Sequence, residues 1–276
     1  MTGRFQRGTP HALLCFSIAA AVSFAGLAAP PQPVAKAGKA RFRALVFSKV
    51  TNYYHDSIPA GVAAIRKLGA EHGFEVVVSD DPAQFTDANL GTFEVVVFNN
   101  TNSTPAKGAL LDADQRAAFQ RYIRSGGGFA GIHSASGTER DWEWYGQLVG
   151  AFFKVHPKIQ ELEVDVEDRV HPSTKGLPRS WTRTEEPYDF LVNPRGRVHV
   201  LATFDPASYE GHTMGADHPI SWCHNFDGGR SWYTGMGHAS SAFTDEPLFI
   251  QHVLGGIQWA AGAVEGDCGP AHGKNP

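Results

Sequence analysis

Three histidines and a pair of asparagines stand where β-rich runs of this chain break off. His55 follows the run from Arg41 to Phe47, Asn99 and Asn100 close the run from Phe93, His133 follows Phe129 to Ile132, and His238 follows Arg230 to Met236. Imidazole changes charge near neutrality, so residues placed this way can act as general acid or base, ligate a metal, or hydrogen-bond a substrate. Glu185 and Glu186, just ahead of Pro187-Tyr188, can supply a carboxylate that orients a histidine or exchanges a proton, the alternative being a solvated acidic turn. With 13 histidines in the chain, any single one could be a solvated or capping residue. The joint placement is the signal, and it makes His55, His133, His238 and Glu186 the catalytic candidates.

The segment from Phe129 to Ser136, preceded by three glycines, is the most specific. A strand ending in a sharp Gly-Ile-His-Ser turn resembles the nucleophile elbow of α/β enzymes, with His133 at its apex. Ser134 and Ser136 lie outside a Gly-x-Ser-x-Gly frame, so serine-hydrolase logic fails. Three histidines and a carboxylate match the ligand types of a divalent-metal site, although no compact His-x-x-x-His or His-Glu-x-x-His signature accompanies them. A divalent metal held by His55, His133 and His238 is thus one option, and the cofactor is otherwise left open. Candidate substrate-binding residues are Asn99, Asn100, His156 and His218, each of these two histidines preceding a Pro-restricted turn, with Trp222 and Arg230. Trp222 could stack on a sugar face or fill the core, and Arg230 could bind an anionic or keto oxygen or form a structural ion pair. His171 and His212 read as surface residues, His199 and His252 as exposed or satisfied structural ones.

The elements that must position these residues alternate. After the first strand, Pro59 opens a helix carrying Val62, Ile65 and Leu68 on one face. Glu75 to Val78 and Phe93 to Phe98 are further strands, the latter β-branched enough to be covered on both faces. Asp112 and Gln115 form a capping-box pattern before a helix through Phe119 and Ile123, which Gly126-Gly127-Gly128 ends. Beyond a short helix from Trp144 to Val149, strands follow at Ile159 to Val166 and Val198 to Phe204. Asp227-Gly228-Gly229 signals a hairpin between Pro219–Phe226 and Arg230–Met236, and Pro247 to Ala261 is a closing helix. This order predicts an α/β fold with a doubly wound, mainly parallel sheet and an added antiparallel hairpin. Ligands of such sheets bind beyond the carboxyl ends of the strands, where the histidines fall.

The chain has 276 residues, 42% hydrophobic and 19% charged, enough for a sizeable core in one α/β domain. Arg4 and Arg7 precede an apolar stretch from Ala12 to Ala29, the outline of a secretory signal peptide over residues 1–29, cleaved near Leu27-Ala28-Ala29. The stretch is short for a membrane anchor, and Cys15 lacks a lipoprotein context, so no stable membrane span is expected after cleavage. Without residues 1–29 the chain holds 22 basic and 28 acidic residues, a charge of −6 that disfavours a nucleic-acid partner. Residues 30–40 and 263–276 read as a flexible linker and tail. Cys223 and Cys268 could pair in an oxidising compartment, or be a buried strand residue and a tail thiol.

Several runs together resemble the trehalose-utilization (ThuA-like) family. They are His55-Asp56-Ser57-Ile58, Gly128 to His133, Phe153-Lys154-Val155-His156-Pro157, Glu185-Glu186-Pro187-Tyr188, His218 to Trp222, Gly229-Arg230, Gly237-His238 and Trp259-Ala260-Ala261-Gly262, spread over residues 41–262. The resemblance implies a flavodoxin-like, class I glutamine amidotransferase-like fold in which His133 stands where the amidotransferase cysteine would be. Glutaminase activity is therefore not expected, and His238 corresponds to the histidine of the amidotransferase dyad. The resemblance also implies use of trehalose and related disaccharides, often beside dehydrogenases that make 3-keto sugars.

The expectation is an exported, periplasmic or extracellular protein acting on a small carbohydrate (a glycoside, disaccharide or 3-keto sugar derivative) by acid/base or metal-assisted chemistry of a hydrolase or lyase kind. The alternative is a non-catalytic sugar-binding or accessory module that keeps the fold without its nucleophile. A structural partner in a secreted complex is a third reading.

Overall fold

A computed structural model of the chain describes residues 41–269. The expected signal segment and linker over residues 1–40, and the last seven residues of the expected tail, lie outside the described residues. The first half runs β1 (Arg43–Phe47), α1 (Ile58–His72), β2 (Glu75–Ser79), α2 (Asp87–Leu90), β3 (Val95–Asn99), α3 (Ala113–Arg124) and β4 (Gly128–Ile132). A 3-10 turn over His133–Gly137 leads to α4 (Glu143–Val149), then β5 (Phe153–Val155), β6 (Gln160–Val166), β7 (Ser180–Glu185) and β8 (Asp189–Phe190). The chain closes with β9 (His199–Phe204), β10 (Pro219–Phe226), β11 (Gly229–Thr234), α5 (Ser240–Thr244) and α6 (Pro247–Ala260).

Local chemistry explains the borders that matter. Helix α1 carries Pro59 in its first turn, buries Ile58, Ile65 and Leu68, leaves Val62 only half-buried, and ends on Gly73 at φ 75°. The capping box at α3 is complete: the Asp112 carboxylate accepts from the Gln115 amide, and the Gln115 side chain accepts from the Asp112 amide, both at 2.9 Å. All five residues of β3 are buried, as a strand covered on both faces requires.

Nine strands form one sheet in the order β2-β1-β3-β4-β11-β10-β9-β6-β7, while β5 and β8 pair separately. Strands β2, β1, β3, β4 and β11 are mutually parallel in a 2-1-3-4-5 order, the flavodoxin-like arrangement. The hairpin is therefore the seam of the sheet: β11 is its fifth parallel strand, and β10 begins the antiparallel half. Asp227 and Gly228 turn this hairpin at φ 49° and 96°, the positive pair a two-residue loop needs.

The antiparallel half alternates direction, so β7 runs the same way as β11 and ends on the same rim. Four strand steps in a flat sheet would set them about 19 Å apart. Yet the Gly237 amide, just beyond β11, donates to Glu185 at the end of β7 over 2.8 Å. The sheet must curl, and the irregular β10–β9 register at Ser221 supplies the kind of bulge that bends a sheet.

Cys223 and Cys268 form a disulfide, which settles the alternatives left open for them. The tail is held down as far as residue 269, because Cys268 is buried and the Trp259 indole donates to the Gly266 carbonyl at 2.9 Å. Among the described residues no helix is long and apolar enough to cross a membrane.

Candidate active site

The carboxyl ends of β1, β4, β7 and β11 each deliver one residue to a common point. His55 comes from the loop after β1, His133 from the first position after β4, Glu186 from the end of β7, and His238 from the Gly237-His238 turn after β11. One nitrogen of each histidine and one Glu186 oxygen all lie within 4.8 Å of one another. The ring centroids of His55, His133 and His238 are separated by 4.9 to 5.4 Å.

Each group is fixed from behind. His133 has φ 48°, a left-handed conformation that costs energy for a residue with a side chain, and it aims the ring across the rim. Its Nδ1 lies 2.8 Å from the Gly235 carbonyl, which can only accept, so Nδ1 carries a proton and Nε2 faces the cluster. That Nε2 is 3.4 Å from Glu186 Oε2 and 3.3 Å from His238 Nδ1. His238 Nδ1 is itself 3.1 Å from the same carboxylate oxygen. Behind His55, Ser134 Oγ is 3.2 Å from Nδ1 and 3.5 Å from Asn100 Oδ1.

Glu185 and Glu186 divide the two roles read for the pair. Glu185 accepts from the amides of Gly237 at 2.8 Å and His238 at 3.2 Å and pairs with buried Arg183, so it shapes the turn that carries His238. Glu186 faces the histidines. Burial alone would raise its carboxyl, but contacts with His133 and His238 outweigh that and hold it well below the usual carboxylate range. The same pairing raises His238. His55 moves the other way, down to about 3, because it is buried and faces two other imidazoles.

A cleft of about 730 Å³ opens directly above, within the roughly 300–1,000 Å³ of small-molecule sites. His55, Glu186 and His238 line it together with Tyr53, Trp181 and Arg183, while His133 sits fully buried behind them. Tyr53 is 58% exposed and meets the His55 ring edge-on at 4.8 Å.

A family profile described as "ThuA: Trehalose utilisation" matches residues 43–260. The chain belongs to the ThuA family. Its fold matches the crystal structure of a ThuA-like protein from Bacteroides uniformis, with a TM-score of 0.66 and 24% identity over 83% of this chain and 95% of that one. A ThuA-like protein from Parabacteroides merdae gives a TM-score of 0.64 and 17% identity over 80% and 90% of the two chains. No curated protein matches it.

In this ThuA-family chain the other candidate residues part company. His156 joins the cluster, with Nδ1 3.2 Å from Glu186 Oε1 and a side chain 42% exposed. Asn100 supports it from below, its amide donating to Ser57 Oγ and the Gly237 carbonyl, and Asn99 is spent on Ser48 Oγ and the Ile58 carbonyl. Both are fully buried, so the substrate-binding role read for them is corrected to scaffolding. His218 is also corrected: it is fully buried between the Tyr209 hydroxyl and the Tyr188 carbonyl. Trp222 is a core residue whose indole donates to the Val149 carbonyl at 2.9 Å, not a sugar platform. Arg230 sits at the opposite end of β11 from the rim, over the Trp259 ring, with Nη1 on the Trp259 carbonyl.

His171, read as a surface residue, is buried beside the disulfide. Sequence reasoning missed Ser134 as a partner of His55 and the Arg183–Glu185 pair. Alternation along Trp181, Arg183 and Glu185 was the available signal, but it is polar where an inward face is expected to be apolar.

Proposed function

We propose that this chain is an enzyme acting on a carbohydrate, by acid/base or metal-assisted chemistry of a hydrolase or lyase kind, at the cleft above His55, His133, His238 and Glu186. The observation that carries this reading is the convergence of three imidazoles and one carboxylate from four separate strand ends. Such convergence is costly for stability, since it buries polar groups and holds His133 in a strained backbone, and a purely structural cluster does not require it. Family membership supports the carbohydrate part.

The donor set fits a divalent cation. Three neutral imidazoles and a carboxylate suit zinc and its neighbours, and the Gly235 carbonyl behind His133 and Ser134 behind His55 act as the orienting partners that metal-ligating histidines use. When bound, a cation would polarise a substrate oxygen or acidify water. The chain's own groups do the rest. Where no cation is held, His133 Nε2 takes up a proton, Glu186 stays ionised and orients the imidazoles, and His238, kept protonated to higher pH by Glu186, releases a proton toward a departing oxygen.

Export through a cleaved N-terminal segment belongs to the same reading and is supported by the Cys223–Cys268 disulfide. The alternative is a sugar-binding module without turnover, supported by the exposed Tyr53 that lines the cleft. Elemental analysis of the purified protein and its His55→Ala, His133→Ala and His238→Ala variants, followed by turnover assays on glycosides and 3-keto sugars, separates the readings. A stoichiometric metal lost in all three variants, with turnover lost as well, supports the enzyme. Sugar binding without product in the metal-supplemented wild type supports the module.

A further inference from the structure

A second group of metal-ligating side chains shares no residue with the rim cluster. Cys223 in β10, Cys268 beyond α6 and His171 in the β6–β7 loop bring their two sulfurs and one ring nitrogen within 4.8 Å of one another, and all three residues are buried. The sulfurs are joined as a disulfide, which needs no histidine beside it.

His171 is held in place all the same. Its amide donates to Asp168 Oδ1 at 3.0 Å, and its carbonyl accepts from the amides of Thr174 at 2.9 Å and Lys175 at 2.7 Å. On the ring, Nδ1 accepts from the Ser173 amide at 3.1 Å and lies 2.8 Å from Ser173 Oγ. Nε2 therefore carries the proton of the neutral ring, and it is buried with no hydrogen-bond partner among the described residues. The adjoining ring carbon, Cδ2, faces Gly266, where a Cβ would stand only 3.1 Å away, so the unpartnered edge looks toward the segment that carries Cys268. A buried orphan of this kind is rare and calls for a ligand or an ion. An ion seated between the three donors lies inside the fold and needs no exposed surface on the nitrogen.

We propose that Cys223, Cys268 and His171 form a thiolate–imidazole site for zinc or a chemically similar divalent cation, filled when the disulfide is reduced and closed when it forms. Two thiolates and an imidazole are donors that zinc prefers, and they leave a fourth position for water. The two thiolates also cancel the charge of the dication, so a neutral complex is what the interior holds. Cys223 is fixed between its ladder partners His199 and Trp232, and His171 by its loop, so two of the three ligands stand ready before the ion arrives.

The reductant is a dithiol. It passes two electrons to the disulfide, its own sulfurs pairing as Cys223 and Cys268 become thiols. Binding then sends both thiol protons to solvent, and the ring moves its proton from Nε2 to Nδ1, which donates to Ser173 Oγ and gives up the Ser173 amide. Exchange with an oxidised dithiol restores the bond and releases the cation.

The test is an anaerobic cobalt titration of the full chain carrying Cys15→Ser, which removes the third thiol, in its oxidised form and after reduction and removal of the reductant. A thiolate-to-cobalt charge-transfer band reports this site alone, because the rim cluster contains no sulfur. The reduced chain should develop the band with one equivalent of cobalt, zinc should erase it, and the oxidised chain should show none. His171→Ala should weaken cobalt binding by at least the roughly 10- to 100-fold that losing a ligand's orienting partner costs, and Ser173→Ala, which keeps the ring, by about tenfold. Near-UV circular dichroism checks the fold of each reduced sample. Should His171→Ala fold poorly, the urea-unfolded wild type supplies the comparison, and its two free thiols should bind cobalt at least about a hundredfold more weakly than the folded chain. Should the reduced chain unfold without metal, zinc should refold it. A reduced chain that neither develops the band nor refolds with zinc overturns the site. Equal cobalt affinity in His171→Ala, or in the unfolded chain, overturns the assignment to these three donors.

Discussion

His133 donates its Nδ1 proton to the carbonyl of Gly235 at 2.8 Å, so the residues just past the end of the β4–β11 ladder fix which nitrogen of the ring looks into the cleft. Gly235 sits one residue past β11 and His133 one residue past β4, and the parallel register brings them level. The ring's orientation is thus a property of the sheet.

Substitutions at His133 should therefore separate chemistry from strain. Asparagine tolerates a left-handed backbone better than alanine, so His133→Asn should keep near-native stability, whereas His133→Ala should lose about 1 kcal/mol more. Both should lower turnover by about 10²- to 10⁴-fold, the usual contribution of a positioned acid or base. Denaturant midpoints beside kcat supply the comparison, and wild-type turnover in His133→Asn would remove this residue from the mechanism.

The parallel half was legible because its physics is local. The capping box at Asp112, the apolar β3 and the glycine stop before β4 each announce themselves within a few residues, and the strand-end rule then places His55, His133 and His238 together. The antiparallel half was legible in part: the strands at Ile159–Val166, Val198–Phe204 and Pro219–Phe226 match β6, β9 and β10, but β5, β7 and β8 escape the sequence. Strand β7 turns Arg183 and Glu185 inward, so its buried face lacks an apolar period, and β5 and β8 are too short to show one. Nor can periodicity tell a rim residue from a core residue on one strand: Trp222 and His218 carry sugar-site chemistry, and only packing shows both to be enclosed. Ser134 stayed hidden because its role, holding His55, depends on a contact 79 residues away in sequence.

Trp222 offers a direct check of that distinction. It is fully buried and donates to the Val149 carbonyl at 2.9 Å. Trp222→Phe should strand that carbonyl and loosen the core, destabilising the fold by about 1–3 kcal/mol. Sugar affinity of the folded fraction should stay within about twofold of wild type, because no ligand reaches the ring. A large affinity loss at unchanged stability would return Trp222 to the binding surface.

The disulfide closes a loop of 45 residues in sequence and pins the segment after α6 to β10. Restricting the unfolded chain in this way contributes about 2–4 kcal/mol. Reduction, or Cys268→Ser, should lower the midpoint of thermal unfolding by several degrees, read by differential scanning calorimetry. Alkylation followed by mass spectrometry should find no free thiol at Cys223 or Cys268 before reduction. An unchanged midpoint after verified reduction would show that the bond contributes nothing to the fold.

Acid should weaken the fold well above the carboxylate range, through buried histidines within the fold as well as His55 in the cleft. His252 is fully buried, hydrogen-bonded to Ser221 Oγ and the Ser173 carbonyl, and burial pushes its pKa down to about 3. His171, buried against the disulfide, is lowered to about 4, again chiefly by burial. Unfolded, both return to about 6.5. Between these limits the unfolded chain binds more protons than the folded one, so stability is fully present above pH 6.5 and is lost as the pH falls toward 4 and then 3. Each group contributes a slope of up to about 1.4 kcal/mol per pH unit within its window. His199 works with the opposite sign. Its pKa is raised by Asp168 2.7 Å away, so its contribution is present below 6.5 and lost as the pH rises past its folded value, a change confined to the neutral side. Urea midpoints measured from pH 7.5 to 4 should therefore fall steadily below 6.5, and His252→Gln should show a slope shallower by about one proton, whatever its absolute stability. A flat profile across that range in the wild type would mean that neither buried ring resists protonation.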